Sequence, residues 1–311
     1  MMGTWLLTLV LALEPVWGPE ESIPVQASRE GSGLASFDAE ITDWMHRHQV
    51  PGAALAVGKD GNLVLARGYG FADHGARQPV KPDSLFRVAS VSKPLTGIAV
   101  LRLLETGPAD ATGAPVTLDT PVMRVLDCEP FLLDGQAMDP RWDQVTLRHL
   151  LHHTGGWDRD ESFDPMLPPF SIAERMGIAP PAGPLDVVRY MLGQPLDFDP
   201  GTRHAYSNFG YCLLGRVIEA VSGTSYEDYV RSEVLGPLGI GAALIGASLE
   251  EGRAPGEVRY YHEGQAPSVF RLPYGHDEGL VAHPYGGFAL EPMDAHGGWV
   301  ASAPDLVRLA M

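Results

Sequence analysis

The sequence predicts a mixed α/β fold, and three observations carry that reading: a β-hairpin close to the N-terminus, a buried helix opening at Ser90, and a long helical middle broken by proline-rich loops. With 311 residues, 45% of them hydrophobic and 20% charged, the chain has ordinary globular composition and can bury a sizeable core. Its formal net charge is −17. Polyanion attraction needs clustered Lys and Arg, so the charge argues against sequence-independent binding to nucleic acid or to an anionic membrane. Cys128 and Cys212 fit neither a disulfide framework nor a zinc-ligand spacing and are expected to be small core residues.

The first element is an apolar run, Trp5-Leu6-Leu7-Thr8-Leu9-Val10-Leu11-Ala12-Leu13, followed by Val16-Trp17-Gly18. It is too short to span a bilayer, and it ends on a small residue where a signal peptidase could cut. Residues 1–18 are therefore expected to be a signal peptide and 19–33 a polar linker, with export to a secreted or periplasmic location. No later stretch reaches membrane-spanning length. Leu34, Phe37, Ile41, Trp44 and Met45 recur at helical spacing, and Pro51-Gly52 ends that helix. The short apolar runs 53–57 and 63–66 are joined by Lys59-Asp60-Gly61-Asn62, a hairpin whose turn uses the Asp-Gly preference for positive φ. From Ser90, the residues Val91, Leu95, Ile98, Leu101 and Leu104 follow the 3.6-residue period to a stop at Gly107, with Pro94 tolerable only near the helix start. Residues 117–246 read as mostly helical, broken at 166–170 and 180–184, whereas 252–290 show no clear period and read as loops and short strands.

Two local motifs can carry chemistry. Ser90-Val91-Ser92-Lys93 puts a serine and a lysine on one helical face, so that Lys93 can reach the Ser90 hydroxyl. A serine hydroxyl needs a neighbouring base, and a lysine serves as one when burial or a nearby positive charge lowers its pKa. Taken alone, Ser-x-x-Lys more often marks a helix cap and a solvated lysine. Ser92 is the competing serine, without a lysine at matching spacing. The second motif, Tyr206-Ser207-Asn208, stands just before a helix bearing Leu213, Leu214, Val217, Ile218 and Val221. There a phenol can pass a proton between nucleophile and leaving group, and Asn208 can hydrogen-bond a substrate amide and the lysine. Alone, this motif reads as a helix cap beside a packed tyrosine.

In this order the two motifs resemble those of the serine β-lactamase-related hydrolases, a group that includes class C β-lactamases, D-alanyl-D-alanine carboxypeptidases and family VIII esterases. Four further stretches match: Gly68-Tyr69-Gly70-Phe71-Ala72-Asp73, Leu150-Leu151-His152-His153-Thr154-Gly155-Gly156, 215–223 and 297–306. The resemblance covers residues 34–311. It implies an α/β (α+β) sandwich, an antiparallel sheet flanked by helices, with a helical subdomain holding Tyr206. It further implies Ser90 as nucleophile, Lys93 as its partner base, Tyr206 as proton shuttle, Asn208 as a substrate and lysine contact, and the Ser90 N–H as half of an oxyanion hole. No metal or cofactor is implied, and the partner is a small-molecule or peptide-like substrate. The family's third motif, a Lys- or His-containing triplet, is expected beyond the stretch that 297–306 resembles, so the resemblance implies a C-terminally truncated chain. His296-Gly297-Gly298 is open to reading as a substitute triplet.

Two other classes compete with a hydrolase acting on a lactam, peptide or ester. One is a non-catalytic, penicillin-binding-like or scaffold protein of the same fold. The other is a metal hydrolase using His149, His152 and His153 with Asp158 and Asp160, against which stands the absence of a His-Glu-x-x-His spacing. The bulky, charged Trp157-Asp158-Arg159-Asp160 loop argues weakly against a dedicated antibiotic-resistance enzyme.

Overall fold

The computed structural model describes residues 16–18, 21–27, 35–167, 170–270 and 279–311. The apolar run at 5–13, most of the linker and Leu34 lie outside the described residues. Three strands form an antiparallel sheet in the order β1 (Val25–Ala27), β3 (Asn62–Asp73), β2 (Gly52–Lys59), and β4 (Gln78–Pro79) pairs with the far end of β3. The predicted hairpin is present. Lys59 pairs with Asn62, and the turn residues Asp60 and Gly61 have φ of 50° and 71°, the conformation Asp-Gly adopts most readily.

Helix α1 (Ala35–His48) lies against this sheet and sends Met45 into a small core with Trp17, Tyr69 and Phe71. Trp17 stacks on Phe71 and donates its indole N–H to the Val50 carbonyl at 2.7 Å. Gly70 is held at φ +70°, and a Cβ there would meet the Pro51 carbonyl oxygen at 2.3 Å, so glycine is required where β3 crosses the end of α1. Arg67 and Tyr69 on β3 both bind the Asp38 carboxylate of α1, tying helix to sheet.

Strand β5 (Phe86–Arg87) leads into a 3-10 turn at Ala89–Val91 and then α2 (Ser92–Glu105). The helical subdomain follows as α3 (Leu147–Leu151), α4 (Phe170–Met176), α5 (Pro184–Leu192), α6 (Asn208–Ser222) and α7 (Tyr226–Val230). Its main core packs Leu95, Ala99 and Leu103 of α2 against Trp142, Trp157, Phe209, Leu213 and Val217. Among the described residues, none of the helices is long and apolar enough to cross a membrane.

Strand β6 (Leu244–Ile245) and a two-stranded hairpin, β7 (Gln265–Pro267) and β8 (Leu280–Ala282), precede α8 (Asp294–Gly297), β9 (Trp299–Ala301) and α9 (Ala303–Ala310). β9 lies between β5 and β6, so residues more than two hundred apart in sequence share one small sheet. α9 packs on β2 and β3.

The buried face of α2 corrects the sequence expectation. Val91, Ile98 and Leu101 of the predicted apolar stripe are exposed, at 47%, 39% and 51%, while Ser92, Lys93, Thr96, Ala99 and Val100 are buried with Leu95. Hydrophobic periodicity cannot find this face because three of its members are polar. Their burial is compensated by partners from distant segments: Thr96 Oγ1 donates to the Ala295 carbonyl at 2.5 Å, and Ser92 Oγ accepts from the Trp299 N–H at 3.2 Å. The latter contact also makes Ser92 a structural serine.

Candidate active site

Ser90 stands where β5 turns into α2, and the turn is under backbone constraint. Ala89 has φ +46°, a left-handed conformation that costs a residue with a Cβ about 1–3 kcal/mol. The surroundings impose it. The Val88 N–H donates to the Trp299 carbonyl at 3.0 Å, and the Arg87 N–H to the Tyr260 hydroxyl at 2.7 Å, so the chain is pinned on the near side of Ser90 while α2 fixes the far side.

Lys93 is 5% exposed, and its ammonium has three acceptors. It donates to Ser90 Oγ at 3.2 Å, to Asn208 Oδ1 at 2.8 Å and to the His296 carbonyl at 2.8 Å. Tyr206 donates its hydroxyl to Ser90 Oγ at 2.8 Å. The four residues singled out in the sequence therefore meet at one point, drawn from α2 and the head of α6. Ser207 caps α6 by accepting from the Gly210 N–H at 3.1 Å, which fixes Tyr206 and Asn208 on either side of the cap.

Three further residues contribute in roles that the sequence did not assign to them. Asp164 accepts from Asn208 Nδ2 at 2.6 Å and so sets which end of the amide faces Lys93. His153, itself at φ +57°, accepts the Ser207 N–H on Nδ1 at 3.2 Å and lays its ring 4.7 Å from that of Tyr206. The His296 carbonyl reaches Lys93 from α8, where a largely buried Arg216–Asp294 pair, its two side chains 8% and 14% exposed, joins α6 to α8. Gly215 makes that approach possible, since a Cβ there would stand 2.7 Å from Ala295 Cβ. His153 and Gly215 lie inside stretches marked by the family resemblance, and His153 was otherwise singled out only as a candidate metal ligand.

Burial is the main force lowering the pKa of Lys93 below an ordinary lysine. Hydrogen bonding and charge from Tyr206 and the charge of Asp164 oppose it, and the positive charge of Arg159 reinforces it. Ser90, Arg159, Tyr206, Phe288, Leu290 and Met293 are among the residues lining a cleft of about 480 Å³. The histidines are used separately. Thr146 donates its N–H to His149 Nδ1 at 3.3 Å, and His153 serves Ser207. Among the described residues, no group of three or more His, Cys, Asp or Glu is placed to hold a metal ion.

Burial, with Lys93 as a further cause, pushes the His153 imidazole down to about 4 and that of His296 to about 3, from an ordinary value of 6.5. Both are thus neutral in the fold at neutral pH. As pH falls from 6.5 toward 4, the unfolded chain takes up protons at these positions that the native state refuses. Stability that is present above pH 6.5 is then lost, by up to about 1.4 kcal/mol per pH unit for each group, with a smaller share from the half-buried His153. Urea midpoints at pH 7.5 and 5 are expected to show the drop, and equal midpoints would mean that both rings titrate normally.

An antiparallel sheet flanked by helices, with Ser-x-x-Lys at the head of a buried helix facing Tyr-x-Asn from a helical subdomain, defines the serine β-lactamase and transpeptidase class of fold. The chain belongs to the Beta-lactamase family, whose model matches residues 37–311. It is 31% identical over 304 residues to esterase EstB of Burkholderia gladioli, covering 92% of this chain and 71% of that protein. It is also 31% identical over 202 residues to penicillin-binding protein 4* of Bacillus subtilis strain 168, covering 64% of this chain and 39% of that one. Among solved structures, D-amino acid amidase from Ochrobactrum anthropi SV3 with D-phenylalanine superposes at a TM-score of 0.62 with 26% identity, covering 89% of this chain and 70% of the amidase.

Proposed function

We propose that the chain is a serine hydrolase that cleaves an ester, amide or peptide-like bond through an acyl-enzyme on Ser90. The observation that carries the reading is the convergence of two proton-transfer groups, Lys93 Nζ and Tyr206 OH, on one serine oxygen. The esterase and amidase names among its relatives support the reaction class.

In this reading Lys93, neutral once its depressed pKa is passed, takes the proton of Ser90 as Oγ attacks the carbonyl carbon. The carbonyl electron pair moves to oxygen, and the Ser90 N–H at the opening of the helix stabilises the oxyanion. The pair returns as the bond to the leaving group breaks. Tyr206 gives its proton to the leaving atom and is reprotonated from Lys93. Water then attacks the acyl carbonyl with the same groups acting in reverse, releasing the acid and restoring Ser90. Asn208 holds Lys93 in line and offers its amide edge to the substrate.

The test is intact-protein mass spectrometry after exposure to a fluorophosphonate and to a penicillin, with Ser90→Ala as control. The expected result is a single adduct on the wild-type chain that is lost in the variant, and the penicillin arm separates lactam-reactive from ester-directed chemistry. If the folded wild-type protein takes no adduct, or Ser90→Ala takes the same one, the site is not an activated serine and the non-catalytic scaffold becomes the better reading.

A further inference from the structure

Among the described residues, Arg159 is the arginine that makes neither an ion pair nor a hydrogen bond, and it stands in the cleft that contains Ser90. The others are engaged. Arg87, also on the cleft, donates to the carbonyls of Pro284 and Ala247, and Arg203 pairs with Asp158 and Glu161. Even arginines without a carboxylate hold something: Arg175 the Tyr190 hydroxyl, Arg189 the Glu129 carbonyl and Arg253 the Glu257 carbonyl. The chain has 39 Asp and Glu for 22 Lys and Arg, so acidic partners are abundant, and a guanidinium left without one beside the nucleophile calls for an explanation.

The Arg159 side chain is exposed, and its guanidinium lies against one ring of the site. Its carbon stands 5.1 Å from the centroid of the Tyr206 ring, the ring whose hydroxyl touches Ser90 Oγ. Of the carboxylates near it in sequence, Asp158 and Glu161 are paired with Arg203 and Asp164 accepts from Asn208, while the adjacent Asp160 makes no ion pair with it. The lining of the same cleft includes the apolar side chains of Leu167, Phe288, Leu290 and Met293 beside the polar Arg87, Asn208 and His283. A planar cation in a cleft that also presents apolar side chains suits a ligand with an apolar body and a carboxylate, which a guanidinium can bind through two parallel hydrogen bonds.

We propose that Arg159 is a specificity-determining residue that selects substrates bearing a carboxylate within reach of the bond cleaved at Ser90. The inference rests on the hydrolase reading of that serine. The carboxylate can sit on the acyl side or on the leaving group, and the test separates the two.

Hydrolysis is measured with two pairs of esters. For the leaving group, the pair is 4-acetoxybenzoate against 4-acetoxybenzamide. For the acyl side, it is the 4-nitrophenyl hemi-ester of glutarate against 4-nitrophenyl pentanoate. The expected result is that in one pair the wild-type kcat/KM favours the anionic ester by about 10- to 100-fold, the range of a charge-assisted hydrogen bond. Arg159→Gln should bring that ratio to about one or below, mainly through KM, Arg159→Glu should invert it, and Arg159→Lys should keep part of it. Any effect of Arg159 on Lys93 is common to both members of a pair and cancels in the ratio. The pair that responds identifies the side carrying the charge.

The proposal is overturned if the neutral ester is preferred in both pairs, or if Arg159→Gln leaves the ratio unchanged. Calorimetric titration of Ser90→Ala with the same four esters, with and without Arg159→Gln, judges the anchor without turnover. Anionic preference in that titration with no hydrolysis by the wild type would sink the hydrolase reading and keep the anchor. Hydrolysis without anionic preference would do the reverse.

Discussion

Replacing Lys93 by methionine is expected to lower kcat/KM for an activated ester by about 10³-fold or more while the chain still unfolds cooperatively. The substitution keeps an unbranched chain in the same packing space and removes the amine that stands 3.2 Å from Ser90 Oγ, the base of the proposed mechanism. It also leaves Asn208 Oδ1 and the His296 carbonyl without their donor, a cost of about 1–3 kcal/mol for each acceptor left dry. The fold should therefore weaken without being lost. Tyr206→Phe keeps the ring on His153 and removes only the hydroxyl, so its loss should be smaller, about 10²- to 10³-fold, with little change in the urea midpoint. In the proposed mechanism Lys93 is a base only when neutral, and burial lowers its pKa, so wild-type activity should rise with pH through a limb lying below the ordinary lysine value of 10.5. Steady-state kinetics across pH, with circular dichroism as the folding control, decide the matter. Turnover within tenfold of wild type for Lys93→Met would remove it as the base.

The second large effect concerns stability. Arg216→Ala should cost about 3–5 kcal/mol, because it leaves the carboxylate of Asp294 buried without its counter-ion. Arg216 is 7% exposed, and its Nη2 donates to Asp294 Oδ2 at 2.6 Å and to Glu219 Oε1 at 3.2 Å. Burial already raises the pKa of Asp294, and the arginine is the main force holding it down. Asp294 opens α8, and two residues on stands the His296 carbonyl that holds Lys93, so activity should fall together with stability. The double variant Arg216→Met with Asp294→Leu should recover much of the lost stability, since an apolar pair removes the stranded charge. Guanidinium unfolding of the wild type and the two variants is the measurement. A single variant within about 1 kcal/mol of wild type would show that solvent reaches Asp294 and that the pair does not clamp α8.

Much of the site was legible in the sequence because its chemistry is local. Ser90 and Lys93 are one helical turn apart, so spacing put that pair on one face, while Tyr206 and Asn208, flanking a serine at the head of the next helix, were marked by the family resemblance. The Asp60-Gly61 turn was legible for a similar reason, as positive φ at two adjacent residues leaves few alternatives. The buried face of α2 was not. Its polar members are buried because Ala295 and Trp299, some two hundred residues away, supply their hydrogen-bond partners, and no window of sequence contains that information. The same holds for Asp164 and His153, whose roles exist only once α6 is seated beside them.

What the sequence determined by itself is the identity and spacing of the reacting groups, the family they mark, and the start of the sheet at an Asp-Gly hairpin. Tertiary structure alone decided that the two motifs meet on one oxygen, that Ala89 is held in a left-handed conformation before Ser90, and that Arg159 lines the cleft without an ion pair or hydrogen bond. The physical reason is range. Helical periodicity and turn preference act over a few residues, whereas burial, desolvation of Lys93 and the pairing of β5 with β9 depend on which distant segments exclude water from the same place.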